Sequence, residues 1–134
     1  MIKFGLIGKG MGLSCCAAGI YMAGAAVCAV CDTESGRSAA LADQYNIASV
    51  YLDYRKLLEA AELDALFIFG CEMSLVTEAV QSGKHVLWHT LSGEDSRQLQ
   101  LLADRHRTVL QICAAESSME TMTAEVRCFL RRLP

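Results

Sequence analysis

Six short apolar runs recur along the chain and alternate with stretches whose apolar residues have helical spacing. The runs are Ile2 to Ile7, Ala25 to Val30, Ala48 to Tyr51, Ala65 to Phe69, His85 to Trp88 and Val109 to Cys113. Helices are predicted between the first two runs, from Thr33 to Tyr45, after a capping Asp53, over residues 73–82, from Ser92 with Asp95 in a capping box, and from Ser117 to Leu133. This alternation predicts an α/β fold: a doubly wound, parallel, six-stranded sheet with helices on both faces.

A glycine-rich turn, Gly8-Lys9-Gly10-Met11-Gly12, separates the first strand from a helix rich in small residues. In a Rossmann sheet such a turn offers free N–H groups to a diphosphate. Asp32 follows the second run. Its distance from the first glycine is close to the roughly 20 residues expected for an acid that can accept hydrogen bonds from a ribose 2′-OH. The usual pattern is G-x-G-x-x-G, but the third glycine here is Gly12, one position early. Leu13 in its place is expected to crowd the approach of helix to strand.

Two interpretations of this turn stay open at the level of sequence. In the first, the turn and Asp32 bind a dinucleotide. In the second, they are a relic of the fold that binds nothing, and Asp32 is an ordinary acid capping the next helix. A carboxylate at Asp32 favours NAD over NADP, because it repels a 2′-phosphate.

Length and charge narrow the class of protein. The chain has 134 residues, 53% of them hydrophobic, and a net charge of -3, which suits one compact domain and argues against nucleic acid as a partner. No apolar run reaches the roughly 18 residues of a membrane span, and the first residues lack the pattern of a signal peptide. We therefore expect no membrane partner and a cytoplasmic location.

The seven cysteines form no disulfide framework. Cys28 and Cys31 make a C-x-x-C, but in a strand residues three apart point to opposite faces, so no metal site is predicted. Cys15 and Cys16 stand near a helix N-terminus, which lowers the pKa of a thiol; small core residues are the alternative interpretation.

Five stretches together carry a more specific pattern. They are Ile2 to Gly12, Val27 to Asp32, Leu41 to Tyr54, Leu63 to Ile68, and Ser82 to Leu87, which reads S-G-K-H-V-L. The chain resembles the glucose-fructose oxidoreductase and inositol dehydrogenase family, also called Gfo/Idh/MocA, from residue 1 to about residue 130. This resemblance implies a Rossmann domain that binds NAD(H) or NADP(H). It also implies a second, substrate-binding domain, and this chain ends where that domain would begin; we therefore expect one domain over residues 1–134.

The resemblance fails at the positions that carry the family's chemistry. Where the family has E-K-P after G-K-H-V, this chain has His89, Thr90 and Leu91, so the lysine is absent. His89 is the one catalytic candidate, because it replaces a family glutamate at the mouth of the site, whereas His85 matches a packed structural histidine. The loop beside the nicotinamide, T-P in the family, begins at Phe69 and Gly70 and is about three residues shorter.

The expected cofactor is NAD rather than NADP. The alternative is a Rossmann fold that binds no cofactor. The candidate cofactor contacts are Gly8, Lys9, Gly10, Met11, Gly12, Asp32, Thr33, Phe69 and Gly70. The leading hypothesis is a dinucleotide-binding, oxidoreductase-like protein that is catalytically impaired on its own. The alternatives are a regulatory or interaction subunit without cofactor, and the cofactor half of a split dehydrogenase. The apolar stripe from Met119 to Leu133 either packs on the sheet or forms a homo-oligomer or partner interface.

Overall fold

A computed structural model describes residues 1–10, 12–33, 38–91, 95–114 and 118–134. The strands are β1 (Lys3–Gly8), β2 (Ala26–Asp32), β3 (Ser49–Val50), β4 (Ala65–Phe69), β5 (His85–His89) and β6 (Leu110–Cys113). The helices are α1 (Gly12–Met22), α2 (Ser38–Tyr45), α3 (Tyr54–Leu58), α4 (Met73–Gln81), α5 (Arg97–His106) and α6 (Met119–Arg132). All pairings are parallel, in the order β3-β2-β1-β4-β5-β6. The predicted doubly wound Rossmann sheet is confirmed.

The sheet separates two hydrophobic layers. Helices α1, α2 and α6 cover one face and pack on strand residues such as Phe4, Leu6 and Phe67. Helices α3, α4 and α5 cover the other face, where Ile7 and Trp88 are buried. This distribution confirms helices on both faces, as right-handed crossovers in both directions from β1 require. No helix among the described residues is long and apolar enough to cross a membrane.

The apolar stripe of α6 is covered by α1. Met122, Val126 and Phe129 are fully buried, and a Cβ on Gly19 of α1 would lie 2.8 Å from the backbone carbon of Met122. Only a glycine allows the two helices to approach this closely. The stripe is therefore used within the chain, while self-association or a partner chain stays a prediction.

The predicted start of the fifth helix is wrong. The fifth helix begins at Arg97, and Asp95 precedes it, accepting hydrogen bonds from the backbone N–H and guanidinium of Arg97. Ser92, the other residue of the predicted capping box, lies outside the described residues. The second helix is described from Ser38 onward; Thr33 is not helical, and residues 34–37 lie outside the described residues. The capping of α3 by Asp53 is confirmed, since the Asp53 carboxylate accepts from the N–H of Arg55.

The C-x-x-C pair does not point to opposite faces. The register of β2 on β1 shifts between Val27 and Ala29, so Cys28 is an extra residue in a β-bulge. Both Cys28 and Cys31 consequently pack on the layer of α3, α4 and α5. Their thiols are free, and the described residues contain no group of metal-binding side chains.

Candidate functional site

The predicted site residues meet at the carboxyl edge of the sheet. Gly8 ends β1 and lies opposite Asp32 of β2 on one side and Phe69 of β4 on the other. Phe69 in turn lies opposite His89 of β5. Residues from four separate segments thus form one row across the edge. The strand order reverses between β1 and β4, which is where ligands bind in sheets of this type.

The glycine turn is closed on one side and open on the other. A Cβ on Gly8 would lie 2.5 Å from the carbonyl oxygen of Phe69, so this position has no room for a side chain. Gly10 has a φ of +88° and open space beside its Cα atom. The Gly8 carbonyl accepts a hydrogen bond from the backbone N–H of Thr33 at 2.8 Å, which joins the turn to the end of β2. Met11 lies outside the described residues.

The displaced third glycine makes a close approach to an aromatic ring. A Cβ on Gly12, the first residue of α1, would lie 2.1 Å from Cζ of Phe69. Leu13, which stands where the third glycine is usual, is 3% exposed and belongs to the core under α1. Gly12 therefore provides the close packing that the pattern assigns to the third glycine, but its neighbour is the Phe69 ring.

Asp32 and the open side of the glycine turn share one cavity. This cavity of about 190 Å³ is lined by Gly10, Ser14, Asp32 and Gln44 together with apolar residues of α1 and α2. Asp32 is 7% exposed, and its backbone N–H donates to Oγ of Ser38 at 2.7 Å. That bond ties the end of β2 to the first residue of α2. The acid is thereby held beside Gly10, as the spacing in the sequence predicts.

A larger cavity of about 700 Å³ opens on the other side of the same edge. Its polar lining comprises Lys9, Thr33, Asp53, Tyr54 and Glu72. The Lys9 side chain lies beside Gly70, since a Cβ on Gly70 would be 3.8 Å from its Cε atom. Sequence reasoning assigned Asp53 only a capping role. The signal that places it here is its position just after β3, because the carboxyl ends of parallel strands meet at one edge.

His89 is packed between elements rather than displayed at the surface. Its ring is stacked on Phe69 with centroids 4.7 Å apart and planes at 15°, and the residue is 4% exposed. The backbone N–H of Gly70 donates to the His89 carbonyl at 2.9 Å. The indole N–H of Trp88 donates to the Gly70 carbonyl at 2.8 Å. These bonds fix the end of β4, where Gly70 has a φ of +73°, to the end of β5.

The other titratable candidates have structural roles. Nδ1 of His85 accepts the backbone N–H of Val109 at 3.0 Å, and burial lowers the pKa of this histidine, which confirms it as a packed residue. Cys16 is fully buried, and its burial raises the pKa of its thiol well above the usual value. Of the two interpretations of Cys16, a thiol with a lowered pKa or a small core residue, the structure supports the core residue. Burial likewise raises the pKa of Cys113 to about 12.

Three solved structures that are similar to this chain are two dehydrogenases, one of them probable, and a reductase. A probable dehydrogenase from Thermotoga maritima matches with a TM-score of 0.70 at 21% identity, covering 83% of this chain and 35% of that one. Biliverdin reductase from Synechocystis, solved with biliverdin and NADP+, matches with a TM-score of 0.69 at 19% identity, over 83% and 37%. UDP-N-acetylglucosamine 3-dehydrogenase from Acidithiobacillus ferrooxidans matches with a TM-score of 0.67 at 27% identity, over 83% and 36%. The chain spans about a third of the length of these proteins.

The sequence itself matches one protein family over most of its length. No curated protein matches the chain. Residues 2–114 match the Gfo/Idh/MocA family, described as an oxidoreductase family with an NAD-binding Rossmann fold. The match includes the glycine turn, Asp32 and the row of residues at the carboxyl edge. The chain therefore belongs to the Gfo/Idh/MocA oxidoreductase family, through its NAD-binding Rossmann domain.

Proposed function

We propose that the chain binds an adenine dinucleotide at the glycine turn and Asp32, with NAD preferred to NADP. The observation that carries this proposal is the shared cavity of Gly10 and Asp32 beside the start of α1. Gly10 leaves open space where a side chain would stand, so backbone N–H groups of the turn are accessible to a diphosphate. Asp32 would accept hydrogen bonds from the adenosine ribose. The residues present therefore fit the adenosine end of the cofactor.

We further propose that the chain alone does not catalyse hydride transfer. The cofactor, when bound, supplies the hydride chemistry, and the protein must supply a group that moves a proton on the substrate. Thr90 stands where the family has its lysine, and the His89 ring is enclosed by its stack on Phe69. Neither side chain provides an exposed acid or base at this edge. The second candidate is the cofactor half of a split dehydrogenase, in which a partner chain contributes the missing acid or base; the enclosed ring of His89 favours it.

A pair of matched variants tests the cofactor proposal. Asp32→Asn is expected to weaken NADH binding about tenfold, because a charged hydrogen-bond acceptor for the ribose is lost. It is also expected to narrow the preference for NADH over NADPH, since the carboxylate no longer repels the 2′-phosphate. Isothermal titration calorimetry measures both affinities. Asp43→Asn makes the same chemical change at an exposed position of α2 and should leave them unchanged. No binding of NADH at millimolar concentration would contradict the proposal.

A further inference from the structure

We propose that the chain recognises the adenosine diphosphate portion of its ligand and gives no binding place to the nicotinamide nucleotide. ADP-ribose and related adenosine diphosphates would then bind as tightly as NADH. This inference rests on the proposed nucleotide site at Gly10 and Asp32. It adds that the stacked rings of Phe69 and His89 exclude the nicotinamide nucleotide and so determine which ligands bind.

The division of the sheet supplies the first step. In this strand order each half of the sheet binds one nucleotide of a dinucleotide. Strands β1, β2 and β3 therefore bind the adenosine nucleotide, and β4, β5 and β6 bind the nicotinamide nucleotide. The ends of β4 and β5 are Phe69 and His89, which are opposite each other in register. Their rings lie face to face at 4.7 Å. Aromatic side chains of the protein itself thus stack on each other at the carboxyl ends of β4 and β5, the two strands of this half that lie nearest the switch point.

The second step is that the Phe69 ring has little freedom to move aside. It lies against Gly12 so closely that a single Cβ there would overlap Cζ, Cε1 and Cε2 of the ring, the nearest at 2.1 Å. His89 bounds it on the other side, and the hydrogen bonds from Trp88 to Gly70 and from Gly70 to His89 fix the backbone just beyond it. The ring therefore fills the space between the start of α1 and β5.

The positions of the cavities supply the third step. The smaller cavity is lined by Gly10 and Asp32, and the larger one by Lys9, Thr33 and neighbours from the loops after β3 and β4. Phe69, His89 and Thr90 line neither of them. Both cavities thus lie beside the glycine turn and the end of β2, and the larger one extends to the loop after β4. Among the described residues, the aromatic pair lies at the ends of β4 and β5, where the second nucleotide would bind.

Calorimetric titration of the unmodified chain with ADP-ribose and with NADH tests the inference. We expect the two dissociation constants to agree within about threefold. NADH binding more than about tenfold tighter than ADP-ribose would overturn the inference while supporting the proposed nucleotide site. Absence of binding by both ligands would overturn the proposed site itself, and the inference with it.

Variants of β4 test the role assigned to Phe69. Phe69→Ala is expected to improve NADH affinity relative to ADP-ribose by about fivefold or more, because it opens space at the ends of β4 and β5. Phe67→Leu shortens a side chain in the same core layer of the same strand, two residues from the edge, and should leave the ratio unchanged. Thermal melting identifies a variant that fails to fold, in which case the titration of the unmodified chain decides. A folded Phe69→Ala with an unchanged ratio would overturn the role of Phe69.

Discussion

Replacement of Trp88 by alanine is expected to lower the free energy of unfolding by about 3–5 kcal/mol, the usual cost of removing a buried large aromatic side chain. Trp88 is 1% exposed and is among the largest fully buried side chains of the described residues. It packs in the layer formed by the sheet with α3, α4 and α5. The change also removes the donor to the Gly70 carbonyl. Chemical denaturation followed by circular dichroism measures the loss.

Trp88→Phe separates packing from hydrogen bonding. It keeps an aromatic ring in the core but leaves the Gly70 carbonyl without its indole donor, so we expect a loss of about 1–2 kcal/mol. Gly70 lies at the end of β4 next to Phe69, and a looser turn there should also change ligand affinity. A Trp88→Ala variant as stable as the unmodified chain would show that Trp88 is not a central packing residue.

Gly8→Ala is expected to cost about 3 kcal/mol of stability, because its methyl group would overlap backbone that cannot move independently. The Cβ would lie 2.5 Å from the Phe69 carbonyl oxygen and 2.8 Å from Cδ2 of Leu13. Relief requires β1 and β4 to separate at the switch point. We therefore expect loss of nucleotide binding together with the loss of stability, measured by denaturation and calorimetry on the same preparation.

Gly24→Ala is the control for this substitution. Gly24 has a φ of +88° with open space around its Cα atom, so alanine there costs only backbone conformational energy, about 1–2 kcal/mol. It lies in the turn after α1, away from the carboxyl edge, and should leave nucleotide binding intact. Equal stability and binding for both variants would contradict the tight contact assigned to Gly8.

The sequence predicts the fold well because the strands are buried on both faces. The predicted strand Ala65–Phe69 has the same bounds in the structure, because Asp64 and Gly70 limit the continuous apolar segment on both sides. The helix from Met73 and its end near Gly83 follow from an apolar stripe and a glycine with φ of +81°. Such signals are local, so a single sequence contains them.

The features missed by sequence reasoning depend on contacts between distant segments. The neighbour of Gly12 is Phe69, 57 positions away in the chain, and no local pattern indicates that pairing. The β-bulge at Cys28 places both cysteines of the C-x-x-C on the same face of the sheet, because side chains alternate between the two faces only in a regular strand. Likewise, the spacing of Asp95 fits a capping box, but the helix begins two residues after it, and its carboxylate pairs with Arg97.

Amide chemical-shift mapping during titration with NADH tests the central claim, nucleotide binding at the glycine turn and Asp32, most directly. We predict that the largest shifts fall on Gly10, Gly12, Asp32 and Thr33 and that the amides of α5 stay unchanged. The same experiment reports the backbone N–H groups along the whole chain, so it locates the ligand without any mutation. An unchanged spectrum at millimolar NADH, or shifts centred on α5, would contradict nucleotide binding at the glycine turn.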